Sequence, residues 1–410
     1  MQDQAQFNPD SKGALDGIKV IDLSRVLAGP LCTQNLSDQG AIVIKVEPPT
    51  GDETRHLGPP FDPASGLASY FNALNRGKKS IGLDLNKEES INILHHLLSD
   101  ADILVENFLP QTMERWGIGY EQSLAKLYPK LIYCSISGFG ETGPLGGLPG
   151  YDAVLQAMCG IMSVNGDTSI GSTKVGIPIV DQMTGYVALS GILMALFDRT
   201  RTGKGQRVEA TLYDSAINLL IPQAANWMAS GQAPQLMGSS HSNIAPYDKY
   251  KIKKGEVFIA IVNNQQFEKF CKFIKKEEWI INVNFEKNSA RNKNKELLKK
   301  EIEKAIYEFD IDHICEELMR VGVPAATIQT IPQALNHPHS KHRNLIIEKE
   351  GYRGIRSPIL LSGTNCKITQ TPPSFSEHRV EILKSIGFTE IDIQRLESEG
   401  ISPSKIKTLK

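Results

Sequence analysis

Asp181 is the residue whose setting points most directly to chemistry. It follows an apolar, strand-like run at 175–180 and precedes an apolar helix expected over 185–197, where Leu189, Leu193 and Leu196 recur at helical spacing. A basic turn with glycines at 203 and 205 stops that helix. A carboxylate at such a junction meets free backbone N–H groups and the positive end of the helix dipole, and both stabilise its charge. These residues alone leave two readings open. One is an aspartate that caps the helix, which the local sequence favours. The other is a carboxylate held at the floor of a pocket to attack an electrophile. Candidate anion contacts lie upstream, in a Gly- and Pro-rich connection at 47–79 that carries Arg55, Arg76, Lys78 and Lys79. Each of these, taken singly, also reads as a solvated surface charge. Connections of that length inside a domain are often functional.

The elements that must position these groups alternate between strand and helix. Apolar runs at 17–23, 41–46, 80–85, 102–107 and 130–138 read as buried strands, and 206–212 adds another. Between the first two lies SRVLAGPLCTQNLSDQGA, with Pro30 placed for the first turn of a helix. Asn86 and Glu89 resemble a capping pair ahead of the amphipathic helix of Ile91, Leu94, Leu97 and Leu98. In that helix His95 and His96 read as surface or half-buried residues rather than ligands. The class is therefore α/β with a parallel sheet, and in such a sheet a ligand lies outside the carboxyl ends of the strands. There is no GxGxxG, so a dinucleotide fingerprint is absent. Composition shifts near 225. A Lys-, Glu- and Asn-rich segment follows, with Leu298, Ile302, Ala305, Ile306 and Phe309 on one helical face. The expected division is 1–224, a smaller domain at 225–325, and a segment at 326–410 that returns to the first.

Composition excludes several classes. The 410 residues carry 45 Lys+Arg against 46 Asp+Glu, a balance that argues against a general nucleic-acid or membrane binder. No apolar run is expected to span a bilayer. The stretch at 1–13 is polar and lacks the apolar core of a signal peptide, so a cytoplasmic protein is expected. Six cysteines, at 32, 134, 159, 271, 315 and 366, are scattered with no CxxC and no clustering with histidine. They support neither a metal site nor a disulfide framework.

The ordered set GIKVIDLSRVLAGP, GAIVIKVEPPTGDETR, NRGKKSIGLDL, ADILVENFLP, the Asp181 helix with RTGKGQ, GSSHSNIAPY and VGVPAATIQTIPQALNHP resembles the class III CoA-transferases, the family of formyl-CoA, carnitine-CoA and succinyl-CoA-dependent transferases. The resemblance covers nearly the whole chain. It implies a Rossmann-like large domain built from both ends of the chain, a smaller α+β domain, and a homodimer whose chains thread through each other. It implies an acyl-CoA and a small carboxylic acid as substrates and no tightly bound cofactor. The family's catalytic carboxylate falls on Asp181. Its CoA contacts fall on Val26, Leu27, Ala28, Arg76, Lys78, Lys79, Asn107, Phe108 and Arg115. The loop around His241 and Asn243 takes the place of a glycine-rich loop in formyl-CoA transferase and lacks that glycine run, so oxalate and formate do not follow from the resemblance.

The chemistry of CoA transfer suits a lone acid, because a carboxylate forms first an anhydride and then a thioester. Glycines 138, 140 and 185 are candidates for bringing backbone N–H groups to the reacting centre. The alternative within the superfamily is a CoA-thioester racemase or epimerase, whose relatives carry a histidine before the aspartate that here is Asp152. This chain has Tyr151 there, and a phenol with an ordinary pKa of about 10 is a poor base near pH 7. A second alternative, a CoA- or nucleotide-binding regulatory protein without turnover, leaves Asp181 without a task.

Overall fold

Two strands that are far apart in sequence lie side by side at the centre of the sheet. In the computed structural model, which describes residues 12–364, 366 and 370–407, strand β1 (Lys19–Asp22) pairs in parallel with β2 (Ile42–Glu47) on one side. On its other side it pairs with β4 (Ile103–Glu106). Strand β3 (Lys78–Gly82) continues beyond β2, and β5 (Ile132–Ser137) and β6 (Arg207–Thr211) continue beyond β4. The order is β3-β2-β1-β4-β5-β6, all parallel. This is the doubly wound order, and its direction reverses between β1 and β4. The expected polar stretch at 1–13 lies, up to residue 11, outside the described residues.

The strands are apolar at consecutive positions because both faces of the sheet are covered. Val20, Ile103, Val105 and Ile136 face one layer, which holds α1 (Ala28–Asp38), α3 (Asp152–Met158) and α4 (Ile179–Thr202). Ile21, Leu104, Ile81 and Leu83 face the other, which holds α2 (Glu88–Leu98), α5 (Arg379–Ser385) and α6 (Glu390–Ser398). The C-terminal segment is stitched to β3 and the residues after it. Ser376 Oγ accepts from the Gly82 N–H at 2.9 Å, and the Ile401 carbonyl accepts from the Asp84 N–H at 2.9 Å.

Three expectations about the helices need correction. The run at 175–180 is not a strand: α4 begins at Ile179, six residues before the expected start, and continues to Thr202. Pro178 precedes the first turn, where its missing N–H costs nothing, and buried Val180 joins the helix because packing outweighs its β preference. Asp181 is therefore the third helical residue and not the cap. The Asn86–Glu89 capping pair does not form; α2 starts at Glu88 with no side-chain cap, and Asn86 Nδ2 bonds Asp84 instead. Finally, α4 is long and apolar enough to pass as a bilayer span by length and composition. Its buried residues Ala188, Leu189 and Ile192 pack into the core beside α1, so it reads as a core helix.

The chain forms two compact units. The larger comprises Met1–Ile161, Val175–Ala225 and His339–Lys410. The smaller comprises Met162–Lys174 and Asn226–Pro338, set against an expected 225–325. In the smaller unit β7 (Tyr247–Ile252), β8 (Gly255–Ala260) and β9 (Ala325–Thr327) form an antiparallel sheet. Leu298, Ile302 and Ile306 of the charged helix turn inward onto Val257, Ile259 and Phe267.

Candidate active site

The crevice opens where the rule for doubly wound sheets puts it, at the carboxyl ends of β1, β4, β5 and β6. It has two lobes of about 270 Å³ each, and both are lined by Arg25, Phe108 and Leu109. Asn107 closes the switch point. Its Oδ1 accepts from the Arg25 N–H at 2.8 Å, and its Nδ2 donates to the Arg25 carbonyl at 2.6 Å. One side chain thus ties the loop after β1 to the loop after β4.

The loop after β1 is strained. Val26 sits at φ +69°, in the left-handed region that a β-branched residue almost never adopts. Such a conformation costs on the order of 1–3 kcal/mol and persists only when its surroundings fix it. A buried charge network beneath does so. Lys45 Nζ donates to the Ser24 carbonyl at 2.8 Å and lies 2.9 Å from Asp52 Oδ2. Asp52 Oδ1 also accepts a long bond, 3.4 Å, from the Val26 N–H. Next along, Gly29 lets α1 approach Ser24, for a Cβ there would stand 2.3 Å from the Ser24 side chain. Helix α1 begins at Ala28 with no side-chain cap, and Val26, Leu27 and Ala28 at its start line the crevice.

The second lobe holds Val26, Leu27, Ala28, Asn107, Phe108, Ser137, Gly138, Tyr151 and Asp181. Asp181 comes from the first turn of α4. That turn lies close to α1 because Gly185 has no side chain; a Cβ there would stand 2.8 Å from the Ala28 carbonyl. Among the described residues no cation and no hydrogen-bond donor meets the Asp181 carboxylate. Burial first, and the negative charge of Asp152 second, push its carboxyl up to about 7. Half-buried Tyr70 is held protonated, pushed up to about 12 by burial and then by Asp181, Asp152 and Asp52.

The first lobe is more apolar and aromatic, with Val46, Pro48, Pro49, Leu83, Leu85 and Trp116 around Phe108. Phe108 meets Trp116 edge-on at 5.2 Å, and the Arg25 guanidinium lies over its ring at 5.5 Å.

The basic candidates are placed elsewhere. Arg76 and Lys78 are 2% and 0% exposed, so the expectation that they contact CoA phosphates is corrected. Arg76 Nε bonds Asp38 at 2.9 Å, and Lys78 Nζ bonds Asp22 and the Pro30 carbonyl at 3.0 Å. Both belong to strand or pre-strand backbone that the sheet buries, and only an internal partner makes such a charge tolerable. Arg55 is likewise buried, bidentate to Glu47 at 2.7 and 2.8 Å. Lys79 pairs with Glu381 at the surface. Arg115 is exposed and bonds Thr112, a residue that lines the first lobe, but does not itself line either lobe. Of the glycine candidates, Gly138 lines the crevice, whereas the Gly140 N–H is already bonded to Ser137 Oγ and Gly185 is inside a helix. In the smaller unit the Asn243 N–H bonds the His241 ring at 3.0 Å, and Asn288 Nδ2 bonds the Asn243 carbonyl at 2.8 Å.

Sequence reasoning missed Arg25, Trp116 and Tyr70. Arg25 stood inside a quoted motif, and its place directly after a strand was the available signal. Tyr70 stood in the long 47–79 connection with nothing local to mark it.

The family model described as CoA-transferase family III matches residues 15–379. The chain belongs to this family. It is 36% identical over 388 residues to the succinate–glutarate CoA-transferase of Agrobacterium fabrum, covering 92% of this chain and 97% of that one. It is 38% identical over 354 residues to the acetyl-CoA:oxalate CoA-transferase of Acetobacter aceti, covering 86% and 90%. A CAIB/BAIF family protein from Brucella suis has a similar structure, with a TM-score of 0.82 at 40% identity over 92% of this chain and all of that one. As a member of family III, the chain is a CoA-transferase whose substrates are CoA thioesters.

Proposed function

We propose that this family III enzyme moves CoA from an acyl-CoA to a small free carboxylic acid through covalent chemistry on Asp181. The observation that carries the reading is a carboxylate at the crevice with no cation or donor among the described residues to satisfy it. The Asp181 carboxylate attacks the thioester carbonyl, the C–S bond breaks, and an acyl-aspartyl anhydride and CoA thiolate form. The thiolate attacks the aspartyl carbonyl of the anhydride, releasing the donor acid and leaving aspartyl-CoA. The acceptor carboxylate then attacks that thioester, and the two steps run in reverse. The protein supplies alignment and a site shielded from water.

The lobes suit the two ends of the CoA ester. The aromatic lobe offers flat apolar walls for a base, and the uncapped start of α1 with the Leu27–Ala28 backbone offers N–H groups for phosphate. Asn107 and Phe108 shape the passage between them. Lys79 and Arg115 remain the solvent-accessible basic candidates for CoA. The named acids of the relatives, succinate, glutarate and oxalate, make small dicarboxylates the first acceptors to test.

A homodimer with threaded chains is part of the same proposal. Leu193, Met194 and Phe197 leave one flank of α4 apolar and 40%, 71% and 66% exposed, a surface that a second copy can cover. Sedimentation at nanomolar concentration would show a folded monomer if this assembly were wrong.

The chemistry is tested with donor acyl-CoA alone. An enzyme–CoA thioester should accumulate, and hydroxylamine should leave a hydroxamate on the peptide that contains Asp181. Label on a different carboxylate would refute the assignment. A racemase would instead wash solvent deuterium into the α carbon without moving CoA between acids.

A further inference from the structure

We propose that Asp152 is the positioning residue for Asp181: its carboxylate clamps the first turn of α4 from a neighbouring helix and fixes where the nucleophile sits. The inference rests on the reading of Asp181 given above.

The first turn of α4 presents N–H groups that need acceptors, and Pro178 at its cap has no side-chain oxygen to give. Asp152 supplies them from α3. Its Oδ1 accepts from the Val180 N–H at 2.7 Å and from the Asp181 N–H at 3.2 Å. Its Oδ2 accepts from Gln156 Nε2 at 2.6 Å. Fully buried Gln156 in turn accepts from the Val175 N–H at 2.8 Å through Oε1. Both ends of the 175–180 entry to α4 are therefore held by side chains of α3. Four residues separate Asp152 from Gln156, which puts both on one face of that helix.

A serine or asparagine would cap the same N–H groups. A carboxylate adds charge-assisted bonds, and it also sets a second negative charge beside the nucleophile. That charge helps to hold Asp181 protonated near neutrality, and a neutral carboxyl is not a nucleophile. The other titratable or charged groups around Asp181 are Tyr70, and Tyr151, Arg25 and Glu53 on the crevice wall. Asp152 thus couples aim to protonation.

Asp152→Asn keeps an acceptor oxygen and removes the charge, whereas Asp152→Ala removes both. Asp152→Asn should retain kcat above pH 8 within about fivefold, and should move the acid limb of kcat/KM down by about one pH unit. Asp152→Ala should lose about 100-fold in kcat with little change in KM for the acyl-CoA, because the nucleophile is misplaced and the CoA walls are not. Carbodiimide labelling of Asp181, read by mass spectrometry across pH, follows the same titration without needing turnover. Its midpoint should drop by about one unit in Asp152→Asn. An unmoved midpoint, or equal kcat for the asparagine and alanine variants, overturns the proposal. If Asp152→Ala does not fold, Asp152→Ser takes its place, with a kcat expected between the other two. Should Asp181→Asn stay active, the chemistry assigned to Asp181 fails, yet the labelling midpoint still decides what Asp152 does.

Discussion

Two kinds of shielded carboxylate, one fully buried and one half-buried, stand at the ends of this sheet's strands. Asp22, Glu47 and Asp52 are each within 1% of full burial, and each touches a cation. Burial works against their charge, but Lys78 and Lys45 at Asp22, Arg55 at Glu47 and Lys45 at Asp52 outweigh it, and all three are held below the ordinary carboxylate range, Asp52 at about 2. Asp181 is partly shielded and touches no cation among the described residues, and it is pushed the opposite way, to about 7. Glu106 shows that the upward shift alone is not the mark of a nucleophile. It too is pushed up to about 7 by burial, but it is bonded to the Phe108 N–H and the Tyr133 hydroxyl. What separates Asp181 is an unpartnered carboxylate that opens on the crevice. The paired acids hold the Val26 loop in shape, and the unpaired one is left free to react.

The comparison breaks first at Asp181. Asp181→Ala or Asp181→Asn should lower transfer by more than about a thousandfold, since covalent catalysis is removed outright. Steady-state exchange between an acyl-CoA and a free acid measures this, and an active variant would put Asp181 among the structural acids.

On the paired side the loss should appear in stability. Lys45→Met leaves Asp52 and Asp22 short of a buried cation, which should cost about 3–5 kcal/mol in urea unfolding. A cost below about 1 kcal/mol would mean that the network is not what holds the Val26 loop.

The two classes should also respond to pH with opposite signs. Asp52, depressed from 3.8 to about 2, adds stability that is present above pH 4 and lost as the pH falls through 2. Asp181, raised from 3.8 to about 7, binds a proton more tightly in the folded chain, so its contribution fades as the pH rises from 4 to 7. Asp181→Asn should therefore be more stable than the parent above pH 7, by on the order of 1–2 kcal/mol after allowing for solvent screening, with no gain at pH 4. Thermal melts at the two pH values check this. In the parent, kcat/KM should rise to a plateau above about pH 7 as Asp181 ionises. The smallest effect belongs to Tyr151→Phe. Tyr151 is 69% exposed on the crevice wall, so loss of its hydroxyl should change kcat by less than about tenfold.

The sheet was legible because burial on both faces writes itself as unbroken runs such as VIDL and ILVE. The crevice followed from strand direction. Asp181 was legible as a candidate, but its place inside a helix was not, because Ile179 and Val180 look like strand residues and only packing turns them into a first turn. The basic residues at 76 and 78 misled for the same reason: a basic residue in a strand or just before it gives no local sign of whether it will face solvent or an internal aspartate. Asp152 was visible only as the neighbour of Tyr151. Its hydrogen bonds cross 28 residues of chain, and no local pattern encodes them.

The C-terminal helices bear on how the protein emerges from the ribosome. Ile382, Leu383, Ile393 and Leu396 pack with Ile81 and Leu83 of the sheet and Leu94 of α2. About 190 residues lie between the end of β6 and Ile401, so at roughly 5–20 residues per second that apolar face waits on the order of 10–40 s for its cover. The nascent sheet is a natural client for a chaperone over that interval. Slowing synthesis after residue 211 should raise aggregation, whereas slowing it before β1 should not.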